Sequence, residues 1–137
     1  RRGTAMTAIE AGIVGRDEHA LVAFYTDVLR FEVVDRLEFA GLGHLVKLRR
    51  GNARFKIFFP EHRPSLAPAV DPYWEMAGWR YAALLLDDLH ELQELFARVA
   101  ESSGRTVMEP RAHRPNAQAA LIADPEGNHW ELLWELR

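Results

Sequence analysis

Cysteine is absent from this 137-residue chain, which removes disulfides, thiol nucleophiles and cysteine-bound metals at one stroke. Long apolar runs are missing too. None approaches the roughly 20 residues that span a bilayer, and the opening RRGTAMTAIE lacks the apolar core of a secretory signal. Nor does either sign of charge dominate: 17 Lys and Arg stand against 20 Asp and Glu, a formal net charge of −3, with the signs mixed along the chain. That leaves no electrostatic footprint for nucleic acid or an anionic membrane. No GxSxG, P-loop or dinucleotide fingerprint occurs. These absences point to a soluble, cytoplasmic protein. Arg1–Ala5 reads as a remnant or frayed tail ahead of Met6.

What is present suits one compact domain: 48% of residues are hydrophobic and 27% charged, enough to build a core under a polar surface. In RDEHALVAFYTDVLRF, residues Ala20, Leu21, Phe24, Tyr25, Val28 and Leu29 fall on one helical stripe, with Asp17 as N-cap and Glu18 favourable to the helix dipole. The period-2 run AIEAGIV before it predicts a strand, as do FEVVDRLEF, GHLVKLRRG and ARFKIFF after it. The same order then returns. WRYAALLL reads as a strand and DDLHELQELFARVAESSG as a helix, with Asp88 and Glu91 at capping-box spacing and Gly104 as its C′ stop. RTVMEP, QAALIAD and NHWELLWEL read as three further strands.

Glu10 aligns with Tyr81, Asp17 with Asp88 and Tyr25 with Phe96 at a constant offset, so a β-α-β-β-β unit is written twice. The expected division is module one at 8–60, a linker at 61–78 and module two at 79–136. PEHRPSLAPAVDPYWEMAG, between the copies, holds four of the 7 prolines, too many for a helix or a central strand. Its Tyr73, Trp74 and Met76 are large apolar groups for a loop; a lid over a pocket and a plug for the core edge are equally good readings.

FYTDVLRFEVV resembles the helix-to-strand junction FYxDVLGFEV of the vicinal oxygen chelate superfamily, the glyoxalase, bleomycin-resistance and extradiol-dioxygenase group. DPEGNHWELL is similar to its near-terminal DPDGNxxEL. Arg30 departs from the family's glycine and implies an unusual backbone angle there. The resemblance spans Ile9 to Leu136. It implies an α+β fold of two tandem βαβββ modules forming a curled mixed sheet, with a central cleft and the helices outside. It also implies a homodimer. The family's four metal-binding positions carry over onto Glu10, Lys56, Tyr81 and Glu131, with Phe55 as the alternative to Lys56.

Those residues argue against an intact metal centre. Divalent ions want several oxygen or imidazole donors at about 2.0–2.3 Å, whereas Lys56 brings a competing cation and Tyr81 a weak ligand. A reduced site of Glu10, Glu131 and His129 is the fallback, since His129 and Glu131 share a strand face. The expectation is therefore a metal-free, drug-sequestering type of protein with no cofactor. Its ligand would lie against Phe58, Trp79 and Tyr81, with Trp74 and Phe39 as less certain walls, and would touch Glu10, Lys56, His129 and Glu131. An aromatic or cationic ligand suits those groups. Two enzyme readings stand beside it: a metal-dependent lyase, isomerase or dioxygenase using Glu10 and Glu131, and a metal-free catalyst using Tyr81, His129 or Glu131 as acid or base. His19 and His90 are expected on polar helix faces, His62 and His113 in surface loops. His44 is placed either in the cleft or on an exposed strand face, and the Arg49–Arg50 turn is expected to be solvated, with attraction of an anion as the lesser alternative.

Overall fold

Alternation of apolar and polar residues builds eight strands: β1 (Ala11–Val14), β2 (Glu32–Phe39), β3 (Gly43–Arg50), β4 (Ala53–Pro60), β5 (Tyr81–Leu86), β6 (Arg105–Arg114), β7 (Ala117–Ala123) and β8 (His129–Glu135). Two α-helices, α1 (Glu18–Ala23) and α2 (Leu89–Ala100), follow the first strand of each half. The computed structural model describes residues 7–68 and 72–136; the tail expected at Arg1–Ala5 lies outside them. The strands form two four-stranded mixed sheets, ordered β1-β4-β3-β2 and β5-β8-β7-β6. In each, the first strand runs parallel to the fourth and the remaining pairs are antiparallel. The architecture is the α+β, two-module one that the repeat implies, with the sheets not closed on each other. Among the described residues no helix is long and apolar enough to cross a membrane.

Strand β4 shows how sequence assigns faces. Phe55, Ile57 and Phe59 are buried in the core, so Arg54, Lys56 and Phe58 point to the other, helix-free side. On β8, Trp130 and Leu132 take the core face and leave His129, Glu131 and Leu133 on the helix-free one. Helix α2 contributes Leu92, Leu95 and Val99 to the same core; its N-cap Asp88 accepts from the backbone N–H of His90 at 2.9 Å. Gly104 is not its C′ stop, because the helix ends at Ala100 with Glu101 as C-cap. Glycine is needed there for another reason: a Cβ would sit 2.4 Å from the Phe24 ring and 2.8 Å from the Ala123 carbonyl.

Helix α1 begins as expected, with the Asp17 carboxylate accepting from Ala20 N–H at 3.2 Å. After six residues it widens into a π turn over Phe24–Val28, with Leu29 N–H reaching back to the Phe24 carbonyl at 3.1 Å. The extra residue lets the adjacent Phe24 and Tyr25 both enter the core. The chain leaves through Arg30 at φ 65°, the left-handed angle that the missing glycine implied.

The two halves share one aromatic centre. Tyr25 packs on Phe55 at 4.8 Å and on Trp130 at 5.9 Å between ring centroids. Its hydroxyl donates to Asp124 Oδ2 at 2.6 Å and accepts from Trp130 Nε1 at 2.9 Å. Asp124 further accepts from the backbone N–H groups of Glu126 and Asn128 and from the Asn128 side chain. The Glu126 carboxylate accepts from Arg16 N–H at 2.9 Å and Asp17 N–H at 2.7 Å, at the start of α1. The DPEGN turn thus ties module two to the helix of module one.

Candidate functional site

Strand register fixes which side chains share the helix-free faces. In the first sheet Gly12 pairs with Lys56, and Lys56 with Lys47; one step on, Val14, Phe58 and Leu45 line up. In the second, Tyr81 pairs with His129 and Ala83 with Glu131. Lys56 and Glu131 are therefore equivalent, each opposite the residue two beyond Glu10 or Tyr81. Phe55 is excluded from that role because it is in the core.

Lys56 Nζ lies 3.1 Å from Glu10 Oε1, and Lys47 Nζ approaches Oε2 at 3.9 Å. One carboxylate thus sits between two ammonium groups. A divalent ion would have to displace Lys56 and then bear the repulsion of two nearby cations. Among the described residues, no three His, Asp or Glu side chains are grouped to hold a metal, so the fallback trio Glu10, Glu131 and His129 is not assembled. The donor set fits a divalent metal poorly.

Around Tyr81 the structure adds a residue that strand parity did not select. A 3₁₀ turn in the linker, Tyr73–Glu75, lays the Tyr73 ring 5.4 Å from Tyr81 and 5.0 Å from His129. Arg80 Nε anchors this turn by donating to the Tyr73 carbonyl at 3.2 Å. Burial, then the Tyr81 phenol and the Glu131 carboxylate, raise the Tyr73 pKa above its usual 10.0. Trp74 packs edge-on to Tyr73 at 5.4 Å and is otherwise 67% exposed. Of the three linker residues, then, Tyr73 covers the site, while Trp74 and Met76 stay largely in solvent. The only sequence signal for Tyr73 was an apolar cluster in a Pro-rich segment.

A cleft of about 510 Å³ opens where β1 and β5 approach, lined by Glu10, Gly12, Phe55, Trp79, Tyr81 and His129 among others. Lys56, Phe58, Trp74 and Glu131 lie outside that lining. Trp79 stands at its mouth, 94% exposed. His129 is only 3% exposed, so it is a buried residue of the site. Phe39 is partly exposed at the far end of β2, outside this lining.

His44 takes neither expected place. It lies on the helix side, stacked 5.5 Å from Phe59, with Nε2 2.7 Å from Glu18 Oε1. Arg50 is not a solvated turn residue either: it donates to the Leu29 carbonyl at 3.0 Å and pairs with Glu91 at 2.7 Å. Arg49 pairs with Glu32 at 3.0 Å. His19, His62, His90 and His113 are exposed.

Structural likeness supports the topology. A glyoxylase/bleomycin resistance protein/dioxygenase domain from Frankia sp. is similar with a TM-score of 0.78 at 11% identity, over 96% of this chain and 93% of that one. A glyoxalase family protein from Bacillus cereus also gives 0.78, at 14% identity over 99% and 98%. Glyoxalase I of Leishmania major gives 0.73, at 20% identity over 96% and 88%. At such identities the likeness is one of fold alone. No curated protein matches the sequence. The family model, however, matches residues 7–132, nearly the whole chain, and with both modules in place the chain belongs to the glyoxalase/bleomycin resistance protein/dioxygenase superfamily.

Proposed function

We propose that this chain is a metal-independent binding protein for an aromatic small molecule, similar to the drug-sequestering members of its superfamily. The observation that carries the reading is the Lys56–Glu10 pair at 3.1 Å. An ammonium stands where metal-dependent relatives would hold a cation, and the carboxylate it neutralises is thereby kept at low cost. Tyr73, Tyr81 and Trp79 offer aromatic surface beside it, and aromatic walls with a few fixed charges are what a sequestering cleft requires.

The working unit in this proposal is a homodimer. Strands β2 and β6, at the ends of their sheets away from the cleft, each have a strand partner on one edge only. Val14, Leu37 and Leu85 expose apolar surface on the helix-free faces, and a second copy would cover such edges and patches. Calorimetry with a panel of aromatic compounds, alongside elemental analysis, tests the function. Saturable binding by metal-free protein with no chemical change in the ligand is expected. A stoichiometric divalent ion that is required for binding would overturn the proposal.

A second reading draws on the grouping of Tyr73, Tyr81 and His129, with Glu131 close enough to act on Tyr73. Such a cluster suits metal-free acid–base catalysis. Loss of turnover in Glu131→Gln with binding retained would establish it.

A further inference from the structure

We infer that the helix-free face of the first sheet holds the anionic group of the ligand, a carboxylate or other oxyanion on an apolar body, through Lys47, Lys56 and Arg54. This rests on the proposed small-molecule binding and names the ligand's chemistry. Lys47 stands directly opposite Lys56, and Arg49 directly opposite Arg54, a two-by-two block of cations on one face. Like charges directly opposed across strands destabilise a sheet, so the block needs counter-charge. The protein supplies only part of it. Glu32 is taken by Arg49 at 3.0 Å, and Glu10 is shared between Lys56 at 3.1 Å and Lys47 at 3.9 Å. Asp35, the register partner of Lys47, adds a third carboxylate, which also accepts from Arg36 N–H at 2.8 Å; three carboxylates thus face four cations. Among the described residues no ion pair reaches Arg54.

An oxyanion placed over Lys47, Lys56 and Arg54 completes the balance with charge-assisted hydrogen bonds. One register step along the strands, the cations give way to Phe58 and Leu45, which offer the apolar body a surface. The ligand so defined carries its charge at one end.

Three probes with one apolar skeleton test this: phenylbutyrate, phenylbutanol and phenylbutylamine, titrated into isotopically labelled protein and followed by amide chemical shifts. Phenylbutyrate should bind about tenfold more tightly than the alcohol, the worth of one good charge-assisted contact, with the largest shifts on β3 and β4. Added salt and the exposed substitution Arg54→Gln should each cut that advantage several-fold; Lys47→Gln together with Arg54→Gln should abolish it. Circular dichroism checks that both variants stay folded. Equal binding of acid and alcohol overturns the anion site and leaves small-molecule binding intact. Tightest binding of the amine also overturns it, and transfers charge recognition to Glu131. Failure of all three to bind removes both the anion site and the binding function beneath it.

Discussion

The phenol of Tyr25 lies away from both helix-free faces, yet it touches both modules at their shared core. Burial first, and then the adjacent Asp124 carboxylate, push its pKa well above the ordinary 10.0. An unfolded tyrosine ionises near 10 while the folded one keeps its proton. The contribution of this group is therefore whole below about pH 10 and is lost as pH rises toward the folded value. Urea denaturation across pH should show stability falling on the alkaline side, with a flatter alkaline limb in Tyr25→Phe. At neutral pH the same variant should lose about 1–3 kcal/mol, because Asp124 and Trp130 are left short of a buried partner. Arg30 offers the opposite case. A side chain at φ 65° costs about 1–2 kcal/mol relative to glycine, so Arg30→Gly should raise the urea midpoint, net of glycine's extra freedom in the unfolded chain.

Among the elements, α1 is the one whose stability depends on a distant partner. It has six α residues before its π turn, too few to persist alone, and Glu126 satisfies the N–H groups of Arg16 and Asp17 at its entry. Glu126→Ala should destabilise the protein by about 1–2 kcal/mol, read by denaturant titration, and should speed amide exchange across residues 16–21. The contrast between Asp17 and Glu126 shows what a sequence displays. Asp17 caps Ala20 from three residues away, so position alone reveals it. Glu126 acts across 109 residues on Asp17 and looks like an ordinary turn acid. The faces of β8 were legible because strand parity is local and strict, whereas on β4 the same parity left Lys56 and Phe55 open until the turn before it fixed the register. The π turn was not, since its stripe fits an α-helix equally well. Gly104 was misread because its constraint comes from Phe24 and Ala123, on other elements. At the candidate site, Glu10, Tyr81 and Glu131 were named through the family resemblance, which the repeat only aligned. Tyr73 did not, since a Pro-rich linker has no period to say where its rings will land.

At the scale of the whole molecule, the open edges of β2 and β6 and the exposed apolar side chains on the helix-free faces predict self-association. Light scattering on eluted protein should give about twice the mass of one chain, and a monomer at micromolar concentration would sink the dimer. Within each chain, the bonds from Tyr25 to Asp124 and from Arg16 to Glu126 span 99 and 110 residues. During synthesis, module one emerges first, with its helix entry uncapped and its buried phenol without an acceptor. At about 5–20 residues per second that condition lasts several seconds or more, until the DPEGN turn clears the ribosome. The nascent first module is consequently the aggregation-prone form of this protein, and its vulnerability is set by the translation rate of the second.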